Sequence, residues 1–240
     1  MAFCNLNAQG QDSTRKTTDV LFYYGFIEYD AEYYKVDSKN SFLEHFVSYQ
    51  PFITDINIFK IEFGIVNSFQ AEGNYTTPGD LRLNYHRNFL SPQYGKAGYQ
   101  GTTAGIKFII PTGRSEFFSG FDSWSLEPIV GSSWQFENPA WSQGILARYY
   151  LSFASLPDKK QRFDYLRMEY YLGYENRKIG VYFEPDYRYI PSKDNHNLFL
   201  KFDLNFNANS KLGFKLSNKY RVFGDYFFEN LVTVGFYVFL

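Results

Sequence analysis

From Val20 onward, apolar residues recur at every second position, in segment after segment. A period of two is the signature of a β-strand, whose successive side chains point to opposite faces. In the last segment Val232, Val234, Phe236, Val238 and Leu240 share one face, and Thr233, Gly235, Tyr237 and Phe239 share the other. Upstream, Leu212, Phe214, Leu216, Tyr220 and Val222 oppose Lys211, Lys215, Lys219 and Arg221. Leu198, Leu200, Phe202, Leu204 and Phe206 oppose Lys201, Asp203, Asn205 and Asn207. The same rhythm runs through Ile179–Tyr189, Leu166–Tyr174, Ile145–Phe153, Trp124–Phe136, Ala104–Ile110, Leu81–Tyr85 and Phe59–Ile65. It is less clean around Leu43–Tyr49, where His45 falls on the apolar face, and it opens near Phe22–Val36.

These are about twelve segments of roughly 9 to 14 residues, well above the strand length of about 5 to 6 usual in globular proteins. A tilted strand needs about 9 to 11 residues to cross a bilayer. Turn residues punctuate the gaps, as in "SPQYGKAG", "ENPA", "PDKK", "PSKDNH" and "NANS". The pattern predicts an all-β chain: a single antiparallel transmembrane β-barrel of about twelve strands over residues 20–240.

Alternation alone also suits a soluble sandwich or a lipocalin-like barrel, which have one apolar and one polar face. Three features favour the membrane. The apolar stripes are almost free of charge although 20% of the residues are charged, and lipid tolerates a Lys or Arg at midplane only at about 2–4 kcal/mol. Aromatic residues stand near the stripe ends, as at Tyr187 and Tyr189, Trp124 and Trp134, Tyr149 and Phe153, as interfacial girdles require. The other stripe mixes Gly, Tyr, Arg, Lys and Glu, which suits a narrow wet lumen. The mean hydropathy of −0.37 is no objection, because alternating faces cancel in an average.

Aromatics make up 22% of the chain, with 22 Tyr and 27 Phe, as strands favour. A net charge of −1 implies no nucleic-acid partner. The single cysteine, Cys4, leaves no internal disulfide and no thiolate metal cluster. No cofactor or metal is expected. Residues 1–19, beginning "MAFCNLNAQG", read as a residual signal and linker with a cleavage site after Ala8; an ordinary disordered N-terminus is the alternative.

Three short motifs occur in order: "GDLRLNY" (Gly79 to Tyr85), "GIKFIIPTG" (Gly105 to Gly113) and "SWSLEP" (Ser123 to Pro128). Their succession resembles the outer-membrane proteins grouped under the meta-pathway of phenol degradation, over roughly the middle third of the chain. The resemblance implies a transporter or channel in the outer membrane and brings no catalytic set. The terminal strand is similar to the outer-membrane C-terminal signature, which implies the barrel-assembly machinery and outer-membrane lipid as partners. Leu240 stands where that signature has an aromatic residue.

The candidate functional residues are the charges of the polar stripe. The basic set is Arg82, Lys107, Arg148, Arg167, Arg188, Lys201, Lys215, Lys219 and Arg221, concentrated late in the chain together with Lys211. The acidic set is Glu28, Asp30, Glu32, Glu127, Glu169, Glu184 and Asp186. Barrel closure brings the first and last strands together, so opposed charge rings are expected to orient a small aromatic or charged solute in a channel. Alternatively the charges pair and plug a non-conducting structural barrel. Glu184 and Asp186, followed by Arg188, suit ion pairing. A membrane-embedded hydrolase of the lipase or deacylase kind is a third reading. It rests on His86 beside Asn84 and Arg82, without a G-x-S-x-G elbow or an H-E-x-x-H pair. The loop "PTGRSEFFSGFDSW" is the longest extracellular-loop candidate.

Overall fold

The computed structural model describes residues 25–51, 56–114, 123–155 and 164–240. The segment 1–19 with Cys4, and most of the loop from Pro111 to Trp124, lie outside the described residues. The strands are β1 (Phe26–Lys35), β2 (Ser41–Gln50), β3 (Asn57–Gln70), β4 (Gly73–Pro78), β5 (Leu81–Leu90), β6 (Gly98–Ile110) and β7 (Ser123–Gln135). They continue as β8 (Trp141–Ser155), β9 (Tyr165–Glu175), β10 (Ile179–Ile190), β11 (Asn195–Asn207), β12 (Leu212–Phe223) and β13 (Asn230–Phe239).

From β2 on, every strand except β5 pairs antiparallel with the strand before it in the chain, and β13 also pairs β1, with Phe26 opposite Phe239. That last pairing closes the sheet into a barrel, so the backbone polar groups of its first and last strands are paired, as hydrocarbon demands. Both β4 and β5 pair with β3, at Ile65–Pro78 and at Glu62–Arg82, so they are one strand interrupted at Gly79–Asp80. The Gly79 N–H donates to the Gly64 carbonyl at 2.8 Å and holds the pairing through the break. The described residues therefore form a twelve-strand barrel, in which the strand expected around Leu81–Tyr85 begins earlier, at Gly73. Among the described residues no helix is long and apolar enough to cross a membrane; the strands do the crossing.

Short turns at 136–140, 176–178 and 208–211 lie at the end that carries Phe26 and Phe239. The two widest gaps between consecutive strands, from Ile110 to Ser123 and from Ser155 to Tyr165, open at the far end, which in outer-membrane barrels faces outward from the cell.

The outward face is the apolar stripe. Phe202, Val234 and Leu216 are 56%, 55% and 50% exposed on an isolated barrel; such a continuous apolar wall is stable only in contact with lipid. In the described strands it carries two formal charges, Lys35 and Arg87, both near strand ends where a long side chain can reach the interface. Arg87 also lies over the Phe89 ring at 5.7 Å. The uncharged polar groups of the outer wall bond to each other across strands: Tyr170 Oη donates to Gln143 at 2.8 Å and Tyr85 Oη to Asn57 at 2.7 Å. His45 does lie on this face, its Nδ1 2.7 Å from Tyr29 Oη. Aromatic pairs mark both rims, with Trp134 against Tyr99 and Trp141 against Tyr174 at the turn end, and Trp124 against Phe108 at the far end. Wall chemistry and fold together place the chain in the outer membrane.

Candidate functional site

The inward face is polar and buried, and its ionised groups interlock. Lys215 on β12 bonds Glu28 and Asp30 on β1 at 2.7 and 2.6 Å. Lys60 on β3 lies 3.7 Å from Glu28 and 3.0 Å from Glu62. Lys107 on β6 stands 3.9 Å from both Glu62 and Glu127. Arg148 on β8 reaches Glu127 at 3.3 Å and Glu169 at 2.9 Å. Arg167 joins Glu169 to Asp186, the latter at 3.1 Å. Asp186 then accepts from Arg188 at 2.8 Å and from Lys219, back on β12, at 2.6 Å. The ion pairs thus run from β12 round the whole circumference and return to β12. Two side branches attach to the wall: Lys201 with Glu184 and Asp203 at 3.1 and 2.5 Å, and Arg82 with Glu44 at 3.7 Å.

This belt holds because each carboxylate is buried beside a cation; an unpaired charge there would face a large desolvation penalty. Several links skip a strand: Lys60 reaches Glu28 past β2, Lys219 reaches Asp186 past β11, and Lys215 reaches Glu28 past β13. The curvature of the closed sheet favours such reaches by turning the inward side chains toward one another.

At the far end the lumen turns apolar. Ile109, Tyr150, Tyr165, Ile190 and Phe199 point inward from five strands and pack with Tyr226 and Phe228 from the β12–β13 connection. That connection folds into the barrel as an aromatic cap. Gly224 begins the turn at φ 96°, where any Cβ would strike the His196 carbonyl and Asn197, so the inward fold requires glycine there. The cap is tied to the belt through Arg188, whose guanidinium carbon lies 4.8 Å from the Phe199 ring and 4.6 Å from the Tyr226 ring. Between cap and belt lies a cavity of about 300 Å³.

All sixteen charged residues singled out from the sequence point inward or stand at the lumen rim. Arg82, Lys107, Arg148, Arg167, Arg188, Lys201, Lys215 and Lys219 belong to the belt or its branches, as do Glu28, Asp30, Glu127, Glu169, Glu184 and Asp186. Glu32 accepts from Tyr34 Oη at 2.5 Å. Arg221 sits at the far rim and donates to the Tyr226 carbonyl. Two expectations need correction. Basic and acidic groups do not form opposed rings: they alternate in one belt, because each buried charge draws its opposite into contact. Lys211 is not in the lumen; it lies exposed in the β11–β12 turn, beyond the last inward position of β12. His86 is inward, with Arg148, Lys107, Lys60 and Glu62 the charged groups around it.

The belt members Glu44, Lys60, Glu62 and Asp203 were not among the residues singled out, though the alternation places all four inward. The cap residues carried no comparable signal, because an apolar residue on a polar stripe reads as a lapse in the pattern.

No protein-family model matches the chain, and no curated protein does. Solved structures match over nearly the whole length. An outer-membrane channel described as COG4313, from Pseudomonas putida F1, aligns with a TM-score of 0.75 at 11% identity, covering 94% of this chain and 99% of that one. The NanC porin aligns at 0.62 and 12% identity, covering 89% and 99%. The KdgM porin aligns at 0.60 and 9% identity, covering 89% and 98%. At these identities the likeness is one of fold: that of the outer-membrane β-barrel, shared with porins and channels.

Proposed function

We propose that this barrel is an outer-membrane channel for small solutes. The observation that carries the reading is the water-accessible cavity held between belt and cap, inside a closed wall whose exterior suits lipid. A barrel of twelve strands lies between the small filled barrels and the wide 16- to 18-strand porins, so passage is restricted to small molecules. The charged lining supports charged solutes and the aromatic cap supports flat ones. The resemblance to the phenol meta-pathway group points the same way. Outer-membrane lipid and the barrel-assembly machinery are its proposed partners.

Purified protein, refolded and checked for heat-modifiable migration, is expected to give discrete conductance steps in planar bilayers. Natively folded protein that passes no current overturns the proposal. It would favour the second reading, a structural barrel plugged by the cap, for which the packing of Tyr226 and Phe228 into the far end is the specific support.

A further inference from the structure

We infer that the lumen cavity is a binding site for small organic anions carrying a flat apolar ring, held between the cations of the belt and the aromatic cap. The inference builds on the channel reading, because the cavity lies on the path a solute crossing the lumen takes.

The belt is layered. Lys201 is 24% exposed, against 13% for Glu184 and 0% for Asp203. Arg82 is 27% exposed against 6% for Glu44, and Arg148 21% against 4% for Glu127. The same order holds in every other ion pair of the belt. The cause is side-chain length. Asp and Glu sit close to the wall, while the longer Lys and Arg stems carry their charges over them toward the axis. Near-neutral by count, the lumen therefore shows a cationic skin to its water.

The cavity samples both this skin and the cap. Seven cations line it, Arg82, Arg167 and Lys201 among them, against three carboxylates, Glu32, Asp80 and Glu127, and Tyr34, Tyr226 and Phe227 line it from the far end. A carboxylate at the belt accepts hydrogen bonds from ammonium and guanidinium groups whose carboxylate partners lie behind them. A ring attached to it stacks on the aromatic side and leaves water. A volume of about 300 Å³ is that of a compact small-molecule pocket. A ring-bearing cation meets the same apolar wall but is repelled by the cationic skin, and acetate meets the cations but not the rings.

The test is calorimetric titration of the full folded chain in detergent with benzoate, acetate and benzylammonium, which needs no conductance. Benzoate is expected to bind saturably, at least tenfold tighter than acetate, with no saturable binding of benzylammonium. Lys201→Gln, at the most exposed lysine of the belt, is expected to weaken benzoate at least fivefold, and heat-modifiable migration verifies that the variant folds. Benzoate bound no better than benzylammonium, or not at all by folded protein, overturns the inference. Current without benzoate binding refutes the site and leaves the channel standing; benzoate binding without current does the reverse.

Discussion

Lys215 on β12 reaches across β13 to bond Glu28 on β1 at 2.7 Å. The residue between them on β13 is Gly235, opposite both Lys215 and Asp30 in register. A Cβ on Gly235 would collide with the Asp30 carboxylate. The gap left by a missing side chain is thus what lets the last turn of the barrel be latched to the first.

Gly235→Val is expected to force Asp30 and Lys215 apart and to destabilise the barrel by about 1–3 kcal/mol, the usual cost of overpacking. Urea titration of tryptophan fluorescence in lipid vesicles measures this. An unchanged midpoint would mean that the latch is slack.

Asp186 receives Arg167, Arg188 and Lys219. Asp186→Asn removes the one negative charge they share, and breaking a buried ion pair by deleting one partner costs about 3–5 kcal/mol. Combining it with Lys219→Met is expected to recover part of that loss, since one orphaned cation goes with it. Strict additivity in this double-mutant cycle would show that the two residues do not interact.

Phe228 fills the centre of the cap and contacts Phe199, Tyr226 and Tyr34 at ring distances of 5.1, 5.4 and 5.4 Å. Phe228→Ala is expected to raise single-channel conductance, because it opens the far end while the ion pairs of the belt keep their partners, although the ring contact to Arg188 at 5.8 Å is lost. The local loss of packing is at most about 3–5 kcal/mol. Conductance equal to that of the unaltered chain would place the constriction elsewhere.

Val234 stands outward at the middle of β13, 55% exposed on the bare barrel. Val234→Arg is expected to cost about 2–4 kcal/mol of folding stability in a bilayer. Folding into vesicles, followed as the shift in electrophoretic mobility against urea, reads the cost. No penalty would mean that this face does not meet lipid.

What the sequence determined by itself is the local alternation and its consequences. Side-chain period along a strand is a property of consecutive residues. Lys215 and Glu28 could therefore be assigned to one face, and to adjoining ends of the sheet, before any coordinates. Tertiary structure decided the rest. Lys60, Lys107 and Lys219 each have a partner two strands away, and the curvature of a closed twelve-strand sheet sets which inward groups meet in this way. The break at Gly79–Asp80 merges β4 and β5 into one strand because β3 pairs with both, a fact held in register rather than composition. The aromatic cap is legible only in three dimensions. Phe199 and Ile109 look misplaced on polar stripes until the β12–β13 connection folds in and gives them Tyr226 and Phe228 to pack against.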